Sequence, residues 1–313
     1  MTTEIELSVI VPCFNEEAVL EECQRRLSSV LASMGSTYEC VYVDDGSCDR
    51  TWHQMRKMQQ EQPGVVVAVS LSRNFGHQPA VSAGLTLARG KAVVIIDADL
   101  QDPPELIPEM VKLWRGGNDV VYGVRASREG ESHFKLLSAR LFYSIINRIS
   151  DVAIPPDTGD FRLIDRRVVD VMLSMPERHR FLRGICSWAG FVQTPFPYKR
   201  SARFAGVTKY PFKKMMTLAL DGILSFSVVP LRLLTIAGGL TAILAILGIL
   251  YALAVRTLTH EWVEGWATLF IGLLFFSGLQ MISLGIVGEY IGRIYTEVKQ
   301  RPLFVIRDVI RSA

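Results

Sequence analysis

Two uncharged apolar stretches near the C-terminus constrain this chain more than any other feature. Leu233–Val255 and Trp266–Gly288 contain no Asp, Glu, Lys or Arg. As helices rising 1.5 Å per residue, each is roughly 35 Å long, against a bilayer core of about 30 Å. The loop between them holds Arg256, Glu261 and Glu264, with Trp262 and Trp266 where half-wet indoles suit an interface. Both outer flanks are basic. Lys199, Arg200, Arg203, Lys209, Lys213 and Lys214 precede the first stretch with no acid among them, and Arg293, Lys299, Arg301, Arg307 and Arg311 follow the second. The positive-inside rule then predicts two transmembrane helices (233–255 and 266–288, within 231–290) with both termini cytoplasmic. The expected organisation is a cytosolic domain over 1–212, an amphipathic interfacial helix over 213–230, the two spans, and a cytosolic tail over 291–313. For 213–230 an ordinary amphipathic surface helix carries the same pattern.

The average composition supports this division. Hydrophobic residues make up 49% of the 313 and charged residues 21%, a mixture that neither a soluble enzyme nor a polytopic membrane protein matches. A formal net charge of +3 argues against a nucleic-acid binder. Five cysteines without a C-x-x-C predict free thiols rather than disulfides or a zinc site. The start, MTTEIELSVIVPCFN, lacks the basic region of a secretory signal.

In the N-terminal part, β-branched runs at 8–12, 40–43, 65–71, 92–96 and 120–123 alternate with helical patterns near 17–33, 50–61, 78–89 and 104–116. That alternation predicts an α/β fold, a doubly wound, mostly parallel sheet. No G-x-G-x-x-G follows the first strand, so a dinucleotide fold loses its main support. Ligands of such sheets bind at the carboxyl ends of the strands, and every strand here ends in polar residues. Asp97-x-Asp99 emerges from the fourth, with Gln101 beyond, an all-oxygen set suited to Mg²⁺ or Mn²⁺ shared with diphosphate. Without a cation the two carboxylates repel. Asp102 is expected to cap the helix opening at Pro103–Pro104. Asp44-Asp45-Gly46-Ser47 offers a carboxylate for a pyrimidine N–H and a Gly that lets backbone approach a ligand; a plain turn, with Ser47 or Asp49 as helix cap, fits equally. His77 and His133 are expected at the surface or at helix starts rather than as ligands.

Together VPCFNE, VDDGSCD, LSRNFGHQPAVSAGL, DADLQDPPE, GDFRL and R-x-x-R-x-x-G-x-x-K-Y resemble the family-2, GT-A-fold polyprenyl-phosphate glycosyltransferases, a group that includes dolichyl-phosphate mannose synthases. The tail GEYIGRIYTEVKQRP after two spans is similar to that of bacterial bactoprenol (undecaprenyl-phosphate) glucosyltransferases. The resemblance implies a GT-A domain over 1–212, a UDP-sugar donor, Mg²⁺ or Mn²⁺, and undecaprenyl phosphate as acceptor. It implies that Pro12, Asn15, Glu16 and Asp45 face the uridine, with Arg73 in the donor-binding set and Arg125 on donor phosphate. Asp97, Asp99 and Gln101 would surround the metal, Asp99 and Asp160 would be catalytic, and Arg200, Arg203 and Lys209 would hold the acceptor phosphate. Asp160 would act as a base or orient Arg162 or the sugar hydroxyls.

The implied reaction is inverting hexosyl transfer at the bacterial inner (plasma) membrane, serving O-antigen, lipopolysaccharide or other envelope modification. Glucose leads, with GlcNAc, mannose or aminoarabinose behind. A homo-oligomer is expected; Gly238, Gly239, Gly272, Gly278 and Gly285 permit close helix packing without fixing the number of subunits. A processive synthase is disfavoured because no Trp follows an Arg, as Q-x-x-R-W would require. A membrane-anchored binding protein without catalysis would not need Asp97, Asp99, Gln101 and Arg125 together.

Overall fold

The computed structural model describes residues 4–125, 158–178, 180–199, 229–259 and 265–312. Four central strands, β1 (Leu7–Cys13), β2 (Tyr38–Asp44), β3 (Val66–Leu71) and β4 (Ala92–Ile95), run parallel in the order β4-β1-β2-β3. Their side chains are buried almost throughout, which is why each reads as a continuous apolar run rather than an alternating one. Helices α1 (Leu20–Ser33), α2 (Thr51–Glu61) and α3 (His77–Leu87) fill the crossovers, and α4 (Ile107–Arg115) follows β4 after a short 3₁₀ turn. In α1, Leu20, Cys23, Gln24, Leu27 and Leu31 are buried at helical spacing. The one polar member, Gln24, accepts the Tyr42 hydroxyl through Oε1, so its burial leaves no unmet acceptor there.

The remaining strands carry weaker sequence signals. β5 (Val120–Arg125) lies parallel to β7 (Gln193–Tyr198), and β6 (Thr158–Asp165) is inserted antiparallel between β4 and β5. β7 contains Pro195 and Pro197 and occupies the sheet's outer edge, where a missing N–H is tolerated. Asp165 caps the next helix, α5 (Arg166–Ser174), by accepting the Arg167 N–H, and α6 (Leu182–Trp188) follows. The opposite edge is closed by β8 (Ile306–Ile310), antiparallel to β3. The sheet therefore has eight strands, ordered β7-β5-β6-β4-β1-β2-β3-β8. Residues 301–312 thus belong to the sheet unit instead of forming a separate tail.

The second unit holds α7 (Val229–Thr259) and α8 (Trp266–Val298). Within them, Leu231–Val255 and Leu269–Val298 are long and apolar enough to cross a membrane. Of the expected interfacial helix 213–230, only Val229 and Pro230 are described, and they open α7. All five cysteines are free; four are buried and Cys48 is exposed. Burial pushes the Cys23 thiol up to about 12, so it stays protonated at neutral pH.

Candidate active site

The parallel strands β1 to β4 bring their carboxyl ends to one edge, and the antiparallel β6 begins there. Ile95 pairs with Arg162, so the residues just beyond β4 and those at the start of β6 meet at the rim. This register brings Asp97 and Asp160 to a single histidine. His77 Nε2 lies 3.2 Å from Asp160 Oδ2 and 3.7 Å from Asp97 Oδ1.

After β4 the chain alternates. Ala98 and Leu100 are buried in the core, while Asp97, Asp99 and Gln101 are only partly covered. Leu100 takes φ 59°, in the left-handed region that side chains other than Gly seldom adopt. Asp99 Oδ1 accepts the Gln101 N–H at 3.1 Å, which tightens this turn. Burial pushes Asp97 up to about 6; Asp160, Asp102 and Asp99 add to the rise and His77 opposes it. Among the described residues, no three His, Cys, Asp or Glu side chains converge as a complete metal cage. Asp97, Asp99 and the Gln101 amide make an incomplete all-oxygen set whose crowded charge a cation would relieve, and the residues fit Mg²⁺ or Mn²⁺ sharing its shell with phosphate oxygens.

Asp160 sits between two cations. Arg183 Nε, on α6, donates to Oδ1 at 2.8 Å, and His77 and the Gln78 side chain (Nε2, 3.4 Å) approach Oδ2. Gln78 Oε1 in turn accepts the Leu182 N–H, joining α3 to α6. Burial disfavours the Asp160 carboxylate, yet Arg183 and His77 hold its pKa well below the ordinary range. Burial likewise disfavours the His77 cation, but Asp97 and Asp160 raise it to about 9. His77, Gln78 and Arg183 surround Asp160, and none of the three was among the residues predicted for the site. His77 is indeed the first residue of α3, but it faces two carboxylates. Its sequence signals were its place just past a polar strand end and its presence within LSRNFGHQPAVSAGL. Arg162, one proposed partner of Asp160, instead donates from Nη2 to the Gly159 carbonyl.

On the other side of the rim the predicted residues mostly bind loops to one another. Asn15, at φ 55°, donates its N–H to Ser47 Oγ and accepts the Cys48 N–H through Oδ1. The Glu16 N–H donates to Thr51 Oγ1, and Pro12 is buried within β1. Both Asp45 oxygens accept backbone N–H groups, from Phe75 at 2.7 Å and Gly76 at 2.9 Å. Each keeps further acceptor capacity for a base. Gly46 has φ +70°, and a Cβ there would stand 2.5 Å from the Arg73 carbonyl carbon. This glycine therefore permits close approach of the 73–74 backbone. Arg73 is exposed and lies over the Phe75 ring at 4.2 Å. Asp49 Oδ1 accepts the Thr51 N–H at the start of α2. Asp102 is not the cap expected of it: the cap position before the 3₁₀ turn is Pro103, and buried Asp102 accepts the Tyr198 hydroxyl. The backbone of Arg125 ends β5 at the same edge. His133, Arg200, Arg203 and Lys209 lie outside the described residues.

Residues 8–173 match the family described as glycosyl transferase family 2. The chain belongs to this family. Among the family's curated relatives, an uncharacterized glycosyltransferase of Bacillus subtilis (strain 168) is 46% identical over 98% of this chain and 95% of its own. A prophage bactoprenol glucosyl transferase homolog of Escherichia coli (strain K12) is 39% identical over 97% and 99%. The bactoprenol glucosyl transferase of Shigella phage SfII is 39% identical over 98% and 99%. For the fold, glucosyl-3-phosphoglycerate synthase from Mycobacterium tuberculosis, solved with Mn²⁺, UDP and phosphoglyceric acid, superposes with a TM-score of 0.50 at 20% identity, over 70% of this chain and 76% of that one. The fold is thus GT-A, and this glycosyltransferase carries, in addition, two C-terminal apolar helices.

Proposed function

We propose that this glycosyltransferase moves a hexose, glucose first among candidates, from a UDP-sugar to undecaprenyl phosphate with inversion at the anomeric carbon. The observation that carries the reading is the convergence of Asp97, Asp99 and an Asp160 clamped by Arg183 and His77 on one sheet edge. The names of the bactoprenol glucosyl transferase relatives support the acceptor and the sugar.

In this mechanism an acceptor phosphate oxygen forms the new bond to the anomeric carbon while the bond to the donor diphosphate breaks and UDP leaves. A phosphate monoester has a second pKa near 6 and is largely dianionic at neutral pH, so little remains for a base to remove. Asp160, held anionic by two cations, is a poor proton acceptor. Its role is to face the positive charge that develops at the anomeric carbon and to orient the sugar. Asp97, Asp99 and Gln101 would hold Mg²⁺ or Mn²⁺, which when bound supplies Lewis-acid neutralisation of the diphosphate. Arg125 would add charge-assisted hydrogen bonds to the same group.

α7 and α8 would anchor the enzyme at the cytoplasmic face of a bacterial plasma membrane. β7 precedes them, β8 follows them, and both lie in one sheet, which supports an even number of crossings. Among the described residues, no heavy atom lies within 4 Å of where a Cβ would stand at Gly238, Gly239, Gly272, Gly278 or Gly285, and such small residues would allow close packing of helices from other copies in a homo-oligomer. Arg200, Arg203 and Lys209 would meet the acceptor phosphate at headgroup height.

The deciding experiment incubates the full-length protein in neutral detergent with undecaprenyl phosphate, Mg²⁺ or Mn²⁺, and a panel of nucleotide sugars. UDP-glucose is expected to give the most lipid-linked product; no lipid product from any donor would overturn the reading. In the same assay, Arg203→Ala is expected to raise the acceptor KM about tenfold with kcat little changed, the size expected for one charged phosphate contact. An unchanged KM would reduce the basic segment to generic lipid attraction.

A further inference from the structure

The C-terminal strand does more than close the sheet. β8 is reached only through the second apolar helix, by residues 299–305, and it docks along β3 with a register shift between Ser70 and Leu71. Such irregularities re-aim side chains. At this shift Arg307 Nη2 donates to Ser70 Oγ at 2.7 Å. Ser70, fully buried, donates to Asp44 Oδ2 at 3.3 Å, and Asp44 Oδ1 accepts the Ser47 N–H at 3.0 Å. Asp44 and Ser70 are register partners on adjacent strands, and Arg307, next to Ser70's register partner Asp308 on β8, reaches Ser70, so side-chain hydrogen bonds link three strands and end at the 44–47 turn. A second tie runs beside it: the Ser72 N–H donates to the Val305 carbonyl at 2.9 Å. It anchors the start of the 72–76 loop, whose far end Asp45 holds through Phe75 and Gly76.

We propose that Arg307 is a positioning residue for the donor pocket, setting the 44–47 turn and the 72–76 loop through Ser70, so that donor binding depends on docking of the strand that follows the membrane helices. This rests on reading the rim as a nucleotide-sugar site. Arg311 supplies the internal contrast. It lies at the opposite end of the same strand, where it donates to Glu39 and to the Leu87 carbonyl, away from the rim. Both arginines hold β8 to the sheet, but only Arg307 reaches the donor side.

The test uses full-length protein in detergent, with UDP and Mn²⁺ as probes by calorimetry and hydrogen exchange of the 70–76 segment as an independent readout. Arg307→Ala is expected to weaken UDP binding about tenfold, the loss of one charge-assisted hydrogen bond, and to speed exchange over 70–76. Arg307→Lys is expected to recover part of both. Arg311→Ala is expected to lower the thermal midpoint while leaving UDP affinity within about twofold of wild type. Unchanged exchange over 70–76 in Arg307→Ala, or an equal loss of UDP binding in Arg311→Ala, would overturn the proposal. If the wild type itself binds no UDP, the donor-site reading fails; exchange then still decides the Arg307 link, faster exchange upholding it and unchanged exchange overturning it.

Discussion

Asp160→Asn is expected to lower kcat for sugar transfer by ~100–1,000-fold, the range seen when a preorganised charged or polar group facing a transition state is removed. The substitution keeps shape and leaves an amide oxygen for Arg183, which now donates at 2.8 Å to a carboxylate. What disappears is the negative charge that Arg183 and His77 hold in place. The loss is expected at every pH from about 6 to 9, because a carboxylate whose pKa is held well below its ordinary value is ionised throughout that interval. A general base would behave differently: activity would fall on the acid side along its titration, and stronger exogenous bases would restore part of the rate. UDP affinity is expected to change less than turnover, since the Phe75 and Gly76 N–H groups that shape the donor-side loop are held by Asp45 and not by Asp160. Single-turnover transfer together with UDP binding separates these outcomes. Near wild-type turnover in Asp160→Asn would remove the carboxylate from the chemistry.

The same cluster marks where sequence reading stops. The parallel strands were legible because burial on both faces makes each a continuous apolar run, and their polar ends followed from topology. The two apolar helices were legible from length and charge alone. β6 was not: TGDFRLID mixes charge into a buried strand, with Arg162 only 3% exposed and bonded to Gly159, so its pattern does not read as β. Its antiparallel insertion between β4 and β5 is what brings Asp160 to Asp97, and no local signal carries that register. Arg183 was invisible for the same reason, since its partner lies on another element. β8 was missed because an edge strand with Arg307, Asp308 and half-exposed neighbours lacks a continuous apolar run; such charges on an edge also discourage further strand pairing. Asp45 and Gly46 had the converse problem. Their residue types suggested ligand contact, whereas much of their work is to hold the 73–76 loop.

Asp99→Asn is expected to abolish transfer by at least ~1,000-fold and to remove the Mn²⁺ dependence of UDP binding, since several kcal/mol of charge stabilisation at a diphosphate correspond to that factor. Asp97→Asn is expected to match it. These losses need not come from misfolding. Asp97 stands near Asp99, Asp102 and Asp160, and its charge is disfavoured by burial and by those neighbours, so a neutral isostere relieves repulsion in metal-free protein. Its thermal midpoint in EDTA is therefore expected at or above that of wild type, a gain in stability where function is lost. Asp102→Asn provides the opposite pattern. Its carboxylate accepts the Tyr198 hydroxyl inside the core, so the variant is expected to melt earlier while keeping Mn²⁺-dependent UDP binding. Calorimetry with and without Mn²⁺, paired with thermal melts of the three variants, reads both quantities. Wild-type Mn²⁺ dependence in Asp99→Asn would sink the metal assignment, whatever the variant does to activity. Equal melting losses in all three would mean that the acidic turn serves the fold rather than the donor.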